Sequence, residues 1–216
     1  MNKNAWVQAA IDVEDMDVAK RIAWMALDAG AEWLEVGTPL LYKFGYQAIA
    51  DIRKAVGEKA ILVADYKFPY AKLIAEKAVN AGADYVLLQA AYDDDLVLSG
   101  IAECNKVGIK PIFDLHINAR DVTERTKQLE KLGVEYVFSH HYAKQRDANG
   151  NIQFYDTLKQ IKEANTNIKI GITSDDWDEA RDAVSKGADW MIFGYALRNP
   201  DPARCKKWID MIHSSR

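Results

Sequence analysis

The chain has little cysteine and no long apolar run. Its two cysteines, Cys104 and Cys205, belong to no Cys-x-x-Cys pattern, so the sequence suggests neither a disulfide framework nor a zinc site. A reducing, cytoplasmic location is therefore expected. No window approaches the ~18 apolar residues of a membrane span, and the N-terminus lacks the apolar segment of a signal peptide. We expect no membrane partner.

An excess of basic residues is also missing. The 216 residues include 28 Lys and Arg against 32 Asp and Glu, which gives a formal net charge of −4. Binding to phosphate backbones calls for a basic face, so a nucleic-acid partner is not expected. The chain is 49% hydrophobic and 28% charged, which is typical of a well-packed globular protein. We expect a single domain over residues 1–216.

A short pattern occurs four times, roughly 50 residues apart. In each copy a glycine follows an amphipathic, alanine-rich segment and precedes an aromatic residue that opens an apolar run. The four glycines are Gly30, Gly82, Gly133 and Gly187, and the runs read WLEVG, YVLLQA, YVFSHH and WMIFGYA. Glycine is common where a helix ends, so each copy predicts a helix, a turn and a strand.

Four further apolar runs lie between these copies, at residues 6–12, 60–67, 110–116 and 169–174, and each is followed by a helical pattern. The sequence thus predicts eight strands that alternate with helices. This is typical of a (β/α)8 barrel, although a solenoid or an open doubly wound sheet are the rivals. Against the open sheet, no Gly-x-Gly-x-x-Gly follows the first strand. In a barrel, the active site lies at the C-terminal ends of the strands.

Polar residues stand at the ends of all eight predicted strands. They are Asp12, Glu35, Asp65 with Lys67, Gln89, Asp114 with His116, His140 with His141, Thr173 with Ser174, and Gly194 with Tyr195. Taken alone, an aspartate at a strand end is more often a helix N-cap than a catalytic group. As a set, these residues would converge on one barrel mouth.

The stretch AILVADYKFPY at residues 60–70 places an acid and a base at the end of a buried strand. Residues i and i+2 of a strand share a face, so Asp65 and Lys67 project together. A buried ion pair is costly unless it serves a purpose. Several carboxylates around one lysine repel each other unless a cation or a proton joins them, and oxygen ligands favour Mg²⁺ over zinc.

Short motifs occur at the strand ends along essentially the whole sequence. They are AID at residues 10–12, EVGTP at 35–39, ADYK at 64–67, Asp114, His140, and the ending GYALR at 194–198. In these motifs the chain resembles the orotidine 5′-monophosphate decarboxylase suprafamily, and within it the branch of 3-keto-L-gulonate 6-phosphate decarboxylase and D-arabino-hex-3-ulose 6-phosphate synthase.

The resemblance implies a (β/α)8 barrel in which Glu35 and Asp65 hold Mg²⁺ and Lys67 supports an enediolate intermediate. Asp114 or His140 would move the proton, and Asp12 would take part in catalysis and in substrate binding. A homodimer is also implied. The loop after the third strand would lie near the subunit boundary.

Two departures from the family pattern stand out. The family motif Asp-x-Lys-x-x-Asp ends here on Tyr70, so the usual second acid is missing. The glycine pairs that bind phosphate after the last two strands are also altered. An anion could still be held by residues of those loops, namely Gly171, Thr173, Ser174, Gly194, Tyr195 and Arg198. His116 is an added substrate-binding candidate without a family counterpart.

The sequence thus predicts a Mg²⁺-dependent carbon–carbon lyase, of decarboxylase or aldolase type, for a small sugar-acid or ketose phosphate. An isomerase or epimerase that uses the same enediolate is the nearest alternative. A barrel that binds an anion without turnover, with Glu35, Asp65 and Lys67 as a structural ion-pair network, is the alternative from another class.

Overall fold

A closed barrel of eight parallel strands forms the centre of the molecule. The computed structural model describes residues 5–90, 93–115, 122–139, 158–159, 161–164, 167–194, 197–198 and 201–215. The strands are β1 Trp6–Ile11, β2 Trp33–Val36, β3 Ile61–Phe68, β4 Tyr85–Gln89, β5 Lys110–Asp114, β6 Tyr136–Ser139, β7 Lys169–Thr173 and β8 Trp190–Phe193. Each strand pairs with the next, and β8 pairs with β1. The predicted (β/α)8 barrel is confirmed.

Helices follow the strands around the barrel. They are α1 Met16–Ala29, α2 Thr38–Phe44, α3 Tyr46–Val56, α4 Ala71–Asn80, α5 Asp94–Val107, α6 Val122–Lys131, α7 Trp177–Ser185 and α8 Pro202–Ser214. Helical residues also occur at 158–159 and 161–163, between β6 and β7. The four repeated glycines all have positive φ, between 89° and 108°. This left-handed conformation favours glycine and confirms the predicted turns.

Aromatic residues fill the barrel at its N-terminal end. The rings of Trp33 and Tyr85 lie 4.6 Å apart between centroids, and those of Trp33 and Trp190 lie 5.9 Å apart. Gly171 faces the same layer, and a Cβ on Gly171 would lie 2.0 Å from Cε2 of Trp190. The indole therefore occupies the space of a side chain at this position. Because this end is packed with large rings, a ligand would enter from the opposite end.

Within the described ranges, no helix is both long enough and apolar enough to cross a membrane.

Candidate active site

The acidic residues predicted at the strand ends lie close together at the C-terminal mouth. Glu35, Asp65 and Asp114 are buried, with exposed fractions of 4%, 1% and 0%. All three carboxylates contribute to the electrostatic environment of Lys67. The negative charge of Asp12 in turn raises the pKa of Glu35. The structure thus brings together five of the residues that sequence reasoning selected.

Asp65, Lys67 and Thr38 form a compact polar cluster. Lys67 Nζ makes a salt bridge with Asp65 Oδ2, and it donates to Thr38 Oγ1 at 3.2 Å. The hydroxyl of Thr38 donates to Asp65 Oδ2 at 2.8 Å. Thr38 is the first residue of α2 and is separated from β2 by Gly37, and its neighbour Pro39 suits the first turn of a helix. The start of α2 therefore positions a hydroxyl against the ion pair of β3.

Lys67 has a strained backbone. Among the described residues it is the one non-glycine residue with positive φ, at 47°. The pairing of β3 with β4 shifts register between Ala64 and Phe68, which marks a bulge around Asp65 and Lys67. Bulges of this kind redirect side chains next to active sites, and strained backbone persists where the surrounding structure enforces it.

Glu35 is buried beside a second carboxylate. Burial raises the pKa of Glu35 well above its usual range, and the charge of Asp65 raises it further. The side chain of Gln8 donates from Nε2 to Glu35 Oε2. A buried carboxylate that is unfavourable in its charged form is a candidate for cation binding.

The charge of Lys67 is favoured by its neighbours. Burial alone would lower the pKa of Lys67, but the carboxylates of Asp65 and Glu35 outweigh burial and raise it. The ammonium therefore remains protonated at neutral pH. A protonated lysine at a barrel mouth can stabilise negative charge on a substrate.

The two predicted metal ligands fit a magnesium ion. Asp65 Oδ2 is bonded to Lys67 and Thr38, whereas the buried Oδ1 makes no hydrogen bond with any described residue. Glu35 has its Oε2 bonded to Gln8. In the described part of the chain, no group of three or more His, Cys, Asp or Glu side chains is arranged to hold a metal. Mg²⁺ tolerates this, because it commonly binds one or two carboxylates and keeps several waters.

Asp12 lies between two glycines of the mouth. A Cβ on Gly37 would lie 2.2 Å from Asp12 Oδ1, and a Cβ on Gly194 would lie 3.1 Å from Asp12 Oδ2. Any side chain at Gly37 would displace the carboxylate of Asp12. The glycine in EVGTP is therefore explained by the space that Asp12 needs.

Two of the residues predicted to bind an anion, Ser174 and Gly194, have hydrogen-bond partners within the protein. The hydroxyl of Ser174 donates to Glu179 Oε2 at 3.1 Å, and the N–H of Gly194 donates to Asp175 Oδ1 at 3.1 Å. Arg198 has an exposed side chain, four residues after Gly194. Gly171 packs against Trp190 inside the barrel, so glycine is needed at this position because the indole leaves no room for a side chain. A role of these residues in substrate binding remains a prediction.

Three predicted site residues, His116, His140 and Tyr195, lie outside the described residues, as does His141.

Sequence reasoning missed three polar residues that contact the predicted site. Gln8 is a polar residue inside the apolar run of β1, and this exception in the sequence could have indicated its contact with Glu35. Thr38 stood in the quoted EVGTP motif, but its bond to Asp65 depends on the register of β2 and β3. Asp175 belongs to a run of acids that opens α7, where an N-cap is the ordinary expectation.

A family model described as "Orotidine 5'-phosphate decarboxylase / HUMPS family" matches residues 6–201. The chain belongs to this family. The match spans every strand of the barrel, and it confirms the family that the strand-end motifs indicated.

Similar proteins are distant in sequence but align over most of their length. A 3-hexulose-6-phosphate synthase of Bacillus subtilis is 29% identical over 191 residues, which is 87% of this chain and 88% of the relative. The crystal structure of 3-hexulose-6-phosphate synthase from Salmonella typhimurium has a TM-score of 0.82 at 24% identity and covers 96% of this chain and 97% of that one. A 3-keto-L-gulonate-6-phosphate decarboxylase from Vibrio cholerae gives 0.79 at 20% identity, with 97% of each chain covered. All three carry the names of enzymes, and the two structures share the barrel fold.

Proposed function

We propose that this family member is a Mg²⁺-dependent carbon–carbon lyase that acts through an enediolate on a small sugar-acid or ketose derivative. The observation that carries the proposal is the cluster of Lys67, Asp65 and Thr38 beside the buried Glu35. The names of the relatives, a hexulose-phosphate synthase and a gulonate-phosphate decarboxylase, support this reaction class and make a sugar phosphate the first substrate to test.

Both reaction types of such a lyase share one intermediate. Breaking the carbon–carbon bond next to a ketone leaves the electron pair on the substrate as an enediolate, while CO₂ or an aldehyde departs. A proton, or an aldehyde in the reverse direction, then forms the new bond to carbon. The protein must therefore stabilise an oxyanion and place one proton.

Lys67 is proposed as the oxyanion stabiliser. Its ammonium is held in the charged form by Asp65 and Glu35 and fixed in direction by Thr38. Its side chain is 27% exposed, so it can reach a ligand in the mouth. An ammonium that is already oriented needs no rearrangement when charge develops on the substrate.

Glu35 and Asp65 are proposed as the ligands of Mg²⁺. The buried Oδ1 of Asp65 and the carboxylate of Glu35 present oxygen atoms on neighbouring strands. When bound, the ion would supply Lewis-acid polarisation of the substrate oxygens. It would also offset the repulsion between the two carboxylates.

Asp114 and Asp12 are proposed to handle the proton and the substrate hydroxyls. Both carboxylates come from strand ends of the same mouth and act electrostatically on the cluster. His140 remains a candidate for the proton transfer.

A purely structural ion pair explains the cluster less well. An ion pair in regular strand geometry would need neither the bulge nor the left-handed conformation of Lys67. Strain of this kind costs on the order of 1–3 kcal/mol and is found mostly at functional sites. We therefore favour catalysis over anion binding without turnover.

We also propose a cytoplasmic, single-domain homodimer. An apolar patch formed by Phe68, Tyr70 and Leu73 supports the dimer, since it is exposed next to the end of β3.

A screen of sugar acids and ketoses, with and without phosphate, tests the proposed reaction. Each compound is incubated with protein and Mg²⁺, and mass spectrometry measures loss of CO₂ or of an aldehyde. Turnover that depends on Mg²⁺ and disappears in Lys67→Ala is expected. Release that is equal in wild type and Lys67→Ala would contradict the proposal.

A further inference from the structure

Between β7 and the end of β8, backbone N–H groups donate hydrogen bonds to carboxylates of the protein itself. The N–H of Gly194, just after β8, donates to Asp175 Oδ1 at 3.1 Å. At the start of α7, the N–H groups of Asp178 and Glu179 donate to Asp176 Oδ1 at 3.0 Å and 2.9 Å. The hydroxyl of Ser174 completes the pattern by donating to Glu179 Oε2. Donors that could bind an external anion are thus bonded to the protein's own acids.

This location matters because barrels often bind phosphate with the loops after strands seven and eight, using backbone N–H groups. Asp176 is an ordinary N-cap of α7, bonded to the first turn of its own helix. Asp175 is different, since it crosses from the loop after β7 to the end of β8. No helix-capping role explains that contact.

A second carboxylate borders the same N–H group. Gly194 packs so closely on β1 that a Cβ there would lie 3.1 Å from Asp12 Oδ2. A phosphate at the Gly194 N–H would have to displace Asp175 and would then lie near Asp12. Like charges at such close range repel each other even in a partly solvated site, which weakens the binding of phosphate there.

A side chain suited to a neutral ligand lies at the end of β7. The Oγ1 atom of Thr173 is buried without a hydrogen bond to any residue in the described ranges. This hydroxyl can donate to a ligand hydroxyl or accept from one, and neither contact needs a charge on the ligand.

We infer that Asp175 is a specificity-determining residue that competes with phosphate for the N–H of Gly194. The site then favours a substrate whose far end carries hydroxyl groups in place of phosphate. This second step rests on the proposed function, because it assumes a sugar-derived substrate, whereas the competition with phosphate does not.

The test measures binding of inorganic phosphate to three full-length proteins by titration calorimetry. Asp175→Asn removes the charge but keeps the shape of the side chain. It should bind phosphate at least about tenfold more tightly than wild type, as expected for removal of one close like charge. Asp178→Asn is the matched control, because it loses the same charge at an 87% exposed position on α7. It should stay within about twofold of wild type.

Phosphate affinity that is equal in wild type and Asp175→Asn, or weaker in the variant, would overturn the inference. An equal gain in both variants would also overturn it, because net charge would then be the cause. Neither result touches the lyase reaction, which is scored separately by release of CO₂ or aldehyde. Conversely, a protein without lyase activity could still show the Asp175 effect, so the two failures are distinguishable.

Discussion

The hydroxyl oxygen of Thr38 lies 2.8 Å from Oδ2 of Asp65. This contact joins the start of α2 to the end of β3, and the same oxygen accepts from Lys67. One hydroxyl thereby fixes both members of the ion pair. It also leaves Asp65 Oδ1 for another ligand, since no described residue bonds to that atom.

Thr38→Val should lower kcat/KM by about tenfold or more, because a hydrogen bond to a charged group contributes about 1.5–3 kcal/mol. Valine has the shape of threonine but cannot orient Asp65 or Lys67. Thr38→Ser keeps the hydroxyl and is expected to retain most activity. Steady-state kinetics on any substrate found in the screen measures both. Equal activity of the valine and serine variants would rule out this positioning role.

Lys67→Ala should lower kcat by about 100-fold or more while the fold survives, as is typical when an oxyanion-stabilising group is removed. Circular dichroism and activity are measured on the same sample. Lys43→Ala, which changes a lysine on α2 outside the cluster, is the control. A Lys67 variant that loses its circular dichroism along with its activity would favour a structural ion pair.

The inward pattern of the barrel could be predicted from sequence because strands alternate with a period of two. Asp12, Glu35, Asp65 and Asp114 all end apolar runs, and a closed barrel leaves them one place to meet. The bulge at Lys67 could not be predicted, since it depends on how β3 pairs with β4. The contact of Asp175 could not be predicted either, because the N–H group that donates to it belongs to Gly194, just after β8.

Glu35→Gln should weaken Mg²⁺ binding and raise the stability of the metal-free protein. The raised pKa of Glu35 shows that its charge is unfavourable in the fold, first through burial and then through Asp65. The free energy of unfolding therefore falls as the pH rises above the pKa that Glu35 has in the unfolded chain. A neutral amide avoids that loss. Thermal unfolding at neutral pH, with and without Mg²⁺, measures both effects.

In wild type, Mg²⁺ should raise the unfolding midpoint, because a ligand that binds the folded state stabilises it. Glu35→Gln should start from a higher midpoint and respond less to Mg²⁺, and Asp65→Asn should also respond less. Glu58→Gln removes an acid that is 90% exposed and serves as the control. A Mg²⁺ response that is unchanged in both site variants would place the metal elsewhere.

Gly171→Ala should destabilise the protein by about 1–3 kcal/mol, the usual cost of overpacking. Its Cβ would overlap the six-membered ring of Trp190. In a Trp190→Phe background, the same Gly171→Ala change should cost less stability than it does in wild type, because the smaller ring leaves room for the Cβ. Gly100→Ala is the control, since its nearest neighbour is the end of the Leu88 side chain and alanine favours the helix. Denaturant unfolding that is unchanged in Gly171→Ala would contradict the packing role.

Phe68, Tyr70 and Leu73 form an exposed apolar patch next to the end of β3. Tyr70 and Leu73 are 53% and 59% exposed, and the rings of Phe68 and Tyr70 lie 5.6 Å apart. Tyrosine suits an interface because it buries a large ring while its hydroxyl keeps a hydrogen bond. If the patch is the dimer interface, a charge within it should weaken assembly.

Analytical ultracentrifugation should therefore show a dimer for wild type and a shift toward monomer for Leu73→Glu. Leu98→Glu is the matched control, since Leu98 is a leucine on α5 that is 45% exposed and lies outside the patch. Tyr70→Phe should keep the dimer and most turnover, because we assign Tyr70 to packing and not to proton transfer. A monomeric wild type would contradict the dimer, and a loss of turnover beyond ~100-fold in Tyr70→Phe, with assembly intact, would assign Tyr70 to general acid–base catalysis.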